Sequence, residues 1–301
     1  MRPPRSILAA VDFSEQSRQA LTLAARLARQ CGAALHVLHA EDPLLAAAAT
    51  QAGIDLTAET QEELQRFIGS APPAATCTPS RSVVMGAPVS TILHVAKRDG
   101  DDLIVLGAHG MSGAGHALFG SVTEGVLTRA DRSVLVTPDG WSAPRPDVGG
   151  LAGVGPIVVG IDFSHSSLRA ARSACALAEC MQTSVEAVHV VADLPVLERW
   201  RPHAERIMAE RTEIARRDLA GLMDTLAPRV RVTTRVETGQ VADRLAESVA
   251  PIGTRHPWLV LGRRSSPAHL GAPGAPGAVA YRAARIARVP VLMHVNQEGG
   301  E

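Results

Sequence analysis

Two stretches of this 301-residue chain combine residue types that could do chemistry. The first is Asp12, an acidic residue set directly after the apolar run Ile7-Leu8-Ala9-Ala10-Val11 and before Phe13-Ser14. The second is Gly107-Ala108-His109-Gly110, followed after nine residues by Gly120-Ser121. Glycine lets a backbone turn sharply or approach a bound group closely. A Gly-Ser pair opening a helix offers free amides, the positive end of the helix dipole and a hydroxyl, a combination suited to a phosphate group. The plainer reading makes the glycines turn residues, Ser121 an N-cap and Asp12 a helix-entry residue. Both readings stand at this point.

Several nucleotide motifs are excluded. There is no GxxxxGK[ST] stretch, and the single lysine, Lys97, lies outside any glycine loop, so no P-loop is present. Any mechanism that needs a lysine must use Lys97. The turn Val11-Asp12-Phe13-Ser14 has no GxGxxG, which removes a Rossmann dinucleotide site. Nor does a Ser-Gly-Gly stretch follow the first strand, as the related ATP pyrophosphatases would require.

The elements that must position these residues alternate in type. Ser6–Val11 predicts a buried strand, Ser14 an N-cap, and Ala20, Leu21, Ala24, Leu27 and Ala28 then follow helical spacing. Ala34–Ala40 predicts a second strand, ended by Glu41-Asp42-Pro43, with a helix over roughly Ala58–Ile68. Ser82–Met85 reads as a strand, Val89–Ala96 as a helix closed by Lys97, Arg98 and Gly100, and Leu103–Leu106 as a strand. Ser121–Arg129 reads as a helix and Val134–Thr137 as a strand. Strand-helix alternation with continuous Val/Ile/Leu strands predicts an α/β fold, a parallel open sheet with helices on both faces. In such sheets ligands bind beyond the carboxyl ends of the strands, where Asp12 and Gly107 fall.

The chain repeats itself. Ile7–Ala40 aligns with Ile157–Val190 at an offset of 150 without a gap, and 10 of the 34 pairs are identical. Asp12, Phe13, Ser14, Ser17 and His39 recur as Asp162, Phe163, Ser164, Ser167 and His189. The offset then drifts: Gly86 meets Gly239, Leu106-Gly107 meets Leu261-Gly262, and Gly120 meets Gly277. Duplicated domains accumulate such drift in their loops. The expected organisation is a five-stranded domain over 1–140, a Pro/Gly-rich linker over 141–155 and a second five-stranded domain over 156–298.

Composition bounds the rest. Apolar residues make up 46% and charged residues 20%, which supports packed cores; aromatics are only 3%, so those cores are aliphatic. Thirty basic residues balance thirty acidic ones, which excludes a globally basic nucleic-acid binder. Cys31, Cys77, Cys175 and Cys180 form no CxxC pair, Ile7–Val11 is too short for a signal core, and no apolar run reaches 18 residues. The expectation is a reduced, soluble, cytoplasmic protein with no membrane partner.

In combination these motifs resemble the universal stress protein family, with two such domains in tandem. The family's ATP-binding signature, G-2x-G-9x-G-[ST], is matched by Gly107, Gly110, Gly120 and Ser121. Ile7–Ser14, Leu38-His39, Gly86-Ala87-Pro88 and Asp102–Gly107 match its strand and helix junctions. The resemblance implies ATP as ligand. Asp12 and the backbone near Ala40 would hold the adenine and ribose end. Ala10, Leu106 and His109 would line the pocket, while Gly107, Gly110, Gly120, Ser121, Val122 and Thr123 would cradle the triphosphate. A site without lysine favours a bridging divalent cation, taken as Mg2+. The family also pairs through its last strand, implying pairing of Val134–Val136 with Val291–Met293; a homodimer of the whole chain stays open.

The second copy departs from the signature. Asp162, His189 and Gly262 survive, but Ser265 replaces the second glycine, Ala278 replaces Ser121, Pro257 replaces Asp102, and Arg263-Arg264 stands where Ala108-His109 stood. Ser266–Pro276 reads as a reshaped loop, so only copy one is expected to bind ATP. The histidines suggest no metal site: His36 and His39, three apart on a strand, face opposite sides, and His109 and His116 have no ligand partners in spacing. His39 and His189 read as strand-end hydrogen-bonders, and Arg199–Arg217 as a solvated helix. The leading function is a nucleotide-binding stress sensor or adaptor with no catalytic residue assigned. Alternatives are a slow ATP hydrolase or phosphotransferase, for which only Asp12 and His109 are available and neither has an evident partner, and a nucleotide-independent scaffold.

Overall fold

A computed structural model describes residues 3–71, 78–110, 119–141, 154–194, 200–226, 229–250, 256–263 and 278–295. The chain divides into two compact units, Pro3–Ala152 and Gly153–Asn296.

In the first unit the elements are β1 (Ser6–Ala10), α1 (Glu15–Cys31), β2 (Ala34–Glu41), α2 (Pro43–Gln51), α3 (Leu56–Gly69), β3 (Ser80–Met85), α4 (Pro88–Asp99), β4 (Leu103–Gly107), α5 (Ser121–Arg129) and β5 (Ser133–Thr137). The sheet runs β3-β2-β1-β4-β5, and every described pairing is parallel. Ile7, Leu8, Val37, Leu38, Ile104 and Val105 are fully buried, as strands covered on both faces must be. Helix α1 buries Ala20, Leu21, Ala24, Leu27 and Ala28, the positions its spacing marked. Ser14 caps its start, and Gly32, at φ +66°, closes it in a left-handed turn.

Helix α2 was not expected. Asp42 accepts the Leu44 amide at 2.8 Å and Pro43 occupies the first helical turn, so the residues that end β2 also start a helix. It buries only Ala46 and carries no apolar stripe that periodicity could detect.

The second unit holds β6 (Val154–Gly160), α6 (His165–Met181), β7 (Val185–Val191), α7 (Arg201–Leu226), β8 (Val232–Thr238), α8 (Val241–Ser248), β9 (His256–Arg263), α9 (Ala278–Ile286) and β10 (Val291–Val295). Its order, β8-β7-β6-β9-β10, mirrors the first. Of the charged segment expected to be helical, residues 201–217 lie in α7, which continues to Leu226 and buries only Ala204, Ala215, Leu219 and Met223. Most of the linker, residues 142–153, and Cys77 lie outside the described residues. Cys175 is a buried free thiol whose pKa burial pushes up. No helix among the described residues is long and apolar enough to cross a membrane.

His294 on β10 is 2% exposed, and burial, with the Arg169 charge second, lowers its pKa to about 4. The unfolded chain takes up this proton near pH 6.5, whereas the folded chain resists it until about pH 4. The neutral ring therefore costs nothing above pH 6.5, and stability falls as pH drops from there to about 4, by a total approaching about 3 kcal/mol. Urea denaturation between pH 7 and 4.5 should show this loss, and His294→Leu should flatten it.

Candidate functional site

In the first unit β1 has β2 on one side and β4 on the other, so the winding direction reverses between β1 and β4. That reversal leaves a crevice beyond the carboxyl ends of these two strands. Ala10, buried, is the last residue of β1, and the Val11 amide still donates to Leu38 O at 2.9 Å. The chain then turns through Phe13 at φ +66°, a left-handed conformation uncommon outside glycine. Asp12 Oδ1 accepts the Ser14 amide at 3.1 Å and the Ser14 hydroxyl at 2.6 Å. Ser14 Oγ in turn accepts the Ser17 amide at 3.1 Å, so the carboxylate is locked to the start of α1. The Phe13 ring is pinned by His39 at 4.5 Å and, edge-on, by Phe67 at 5.5 Å. His39 Nδ1 lies 2.9 Å from Val11 O, the strand-end role its recurrence suggested. Ala40, next along β2, is half-buried and pairs in register with Val84.

The end of β4 closes on this elbow. Leu106 is buried. A Cβ on Gly107 would stand 3.1 Å from the Gln16 carbonyl carbon, so this glycine lets β4 pack against the first turn of α1. The Thr123 hydroxyl, buried, donates to Gly107 O at 2.7 Å and ties α5 to the same strand end. A Cβ on Gly110 would lie 2.2 Å from Asp12 Oδ2. The two motifs, almost a hundred residues apart, meet at that contact. Gly120 caps α5 and donates to Ala108 O at 2.8 Å, while a Cβ there would find only ordinary contacts at 3.5 Å.

Ser121 is exposed and Val122 half-buried. Gly120 has no side chain to bond the first turn, so among the described residues no side chain caps α5, and the amides of Ser121, Val122 and Thr123 open the helix at its positive dipole end. Lys97 sits in the last turn of α4 near Asp131, away from this crevice, and supplies no charge to it. His109 Nδ1 lies 2.6 Å from Asp139 Oδ2, with the imidazole nearly buried. That partner corrects the reading of His109 as unpaired. Asp139 follows β5, and no local spacing links it to His109. The left-handed turn at Phe13 was also missed, although the identical Phe163 in the repeat was a signal for it. His116 and the rest of 111–118 lie outside the described residues.

The second unit builds the same elbow. Asp162 Oδ1 accepts the Ser164 amide at 3.0 Å and the Ser164 hydroxyl, Phe163 turns at φ +60°, and His189 Nδ1 lies 2.7 Å from Ile161 O. A Cβ on Gly262 would stand 2.5 Å from the Ser166 backbone. Arg263, buried, takes the place of Ala108. Arg264, Ser265, Ser266–Pro276 and Gly277 lie outside the described residues.

A model of the Universal stress protein family matches residues 4–138 and again 153–294. The chain belongs to the universal stress protein family. It carries two family domains in tandem. Universal stress protein YxiE of Bacillus subtilis is 28% identical over 142 residues, 43% of this chain and 96% of that protein. Universal stress protein MJ0577 of Methanocaldococcus jannaschii is 39% identical over 54 residues, 18% of this chain. The match spans a third of that relative's length. Among solved structures, a universal stress protein of Archaeoglobus fulgidus aligns over 96% of this chain and 98% of its own, with a TM-score of 0.62 at 19% identity. That similarity is one of fold.

Thr123 tests the local frame of this family site. Thr123→Val keeps the shape but leaves Gly107 O without its buried donor, and should lower stability by about 1–3 kcal/mol, read by urea denaturation.

Proposed function

We propose that the first unit binds ATP together with Mg2+, and that the chain acts as a nucleotide-binding sensor or adaptor rather than a metabolic enzyme. The observation that carries this reading is the contact between Gly110 and the Asp12 carboxylate, beside the uncapped amides that open α5. Asp12 supplies acceptor oxygens for ribose hydroxyls, with the Ala40 backbone at the adenine end. Ala10, Leu106 and His109 line the wall. Gly110, Gly120 and the amides of Ser121, Val122 and Thr123 face the phosphates, whose charge the helix dipole complements. Gly107 serves indirectly, by letting β4 approach α1. The donor set suits an anion but has no lysine, so Mg2+ supplies the neutralising charge on the phosphates.

A second reading, slow hydrolysis, rests on the His109–Asp139 pair. A carboxylate on Nδ1 fixes the orientation of an imidazole, the arrangement by which a histidine serves as a general base. Acid extraction of the purified chain, followed by phosphate release over hours with Mg2+, separates the readings. Adenine nucleotide retained without turnover supports the sensor. Phosphate release lost in His109→Gln supports the hydrolase. A chain that neither retains nor binds adenine nucleotide contradicts both and leaves a scaffold.

The glycines give a sharper check. Gly110→Ala forces the Asp12 carboxylate out of place and should weaken ATP at least tenfold, about 1.4 kcal/mol. Gly120→Ala meets only ordinary contacts and should change the Kd by less than about threefold. Equal affinities for the two variants, read by calorimetry, would contradict this placement of the site.

A further inference from the structure

At the opposite end of the first unit's sheet, three side chains from distant parts of the chain converge. His36 is the third residue of β2, Asp99 ends α4, and Asp101 precedes β4. His36 Nδ1 lies 3.6 Å from Asp99 Oδ2 and 3.6 Å from Asp101 Oδ2, and the three ligand atoms all fall within 4.8 Å of one another. Both 3.6 Å separations are too long for hydrogen bonds.

Asp101 is 1% exposed. Its Oδ1 accepts the Ser6 hydroxyl, but Oδ2, the atom facing His36, has no hydrogen-bond partner among the described residues. A carboxylate oxygen buried without a donor is costly unless a positive charge stands against it. Asp99 is held by Arg98, whose Nε and Nη2 donate to its two oxygens at 2.7 and 2.8 Å, and each oxygen keeps a further lone pair. The carboxylate oxygen of the cluster left without a donor is therefore Asp101 Oδ2.

His36 is oriented from behind. Its Nε2 lies 2.8 Å from Ser82 Oγ on β3. With that nitrogen donating to the hydroxyl, Nδ1 presents a lone pair to two carboxylate oxygens. In that tautomer the three electron-rich atoms facing one point repel one another unless a proton or a metal cation sits between them. Ligands about 2.1 Å from a tetrahedral ion stand about 3.4 Å apart, close to the two 3.6 Å separations from His36. A hydrogen-bonded second nitrogen is also what metal-bound histidines ordinarily have.

The second unit shows what this position holds when no cation is needed. The register places Glu186 on β7 where His36 stands on β2, and Arg235 on β8 where Ser82 stands on β3. Arg235 Nε lies 2.8 Å from Glu186 Oε1, and the pair neutralises itself.

We propose that His36, Asp99 and Asp101 form a divalent transition-metal site of the Zn2+ class, separate from the nucleotide crevice. Water completes the coordination on the side where Asp99, a third exposed, meets solvent. The sequence expectation of no metal site paired His36 only with His39. Its true partners lie more than sixty residues away.

The test uses the full chain, stripped of nucleotide and treated with chelator, and Co2+ as a spectroscopic probe. One equivalent of Co2+ should bind with the intense visible bands of a low-coordinate site, and Zn2+ should displace it. His36→Gln should abolish those bands, and Asp99→Asn, at the rim where folding does not depend on it, should weaken binding at least tenfold. His165→Gln, an exposed histidine of the other unit, should leave both unchanged. Bands that survive in Asp99→Asn and His36→Gln, or only weak octahedral absorption in the unmodified chain, would overturn the proposal.

Discussion

The candidate site depends on one close contact: the Gly110 backbone against the carboxylate of Asp12. A carboxylate can be approached that closely only if it is held still. Asp12 is held by Ser14, which also caps α1, so the start of the helix and the position of the acid are one hydrogen-bonded unit. The left-handed turn at Phe13, pinned by His39 and Phe67, makes the elbow possible. Gly107 then brings β4 against the same helix turn, and Thr123 ties α5 to β4. Each element of the crevice is thus referenced to the first turn of α1.

The duplication separates scaffold from site. Both units keep the Asp-Phe-Ser elbow, the His that receives it and the close glycine at the end of the fourth strand. These features do packing work and survive together. What differs is polar. Arg263 stands in place of Ala108, and Glu186 with Arg235 replaces His36 with Ser82. The halves also differ in charge, with 12 basic and 15 acidic residues in 1–150 against 18 and 15 in 151–301. The proposed function expects such divergence of one domain retained for binding and another released from it.

Much of this was legible in the sequence because its signals are local. Continuous aliphatic runs gave the strands, Ser14 and Gly100 marked helix ends, and the G-2x-G-9x-G-S spacing pointed to the end of β4 and the start of α5. What was not legible depends on contacts across the fold. Helix α2 lacks an apolar stripe because it buries a single alanine. Asp139 reaches His109 only because β4 and β5 are neighbours, and Asp101 reaches His36 only because both lie at the same end of the sheet. The role of Gly110 was readable as flexibility, but its contact with Asp12 required the sheet order.

The central claim is that one of two homologous elbows has been completed into a nucleotide site. Calorimetric titration of the intact, nucleotide-free chain with Mg2+-ATP tests it most directly. A single binding event at one equivalent per chain is expected. Two equivalents, or no binding, would contradict it.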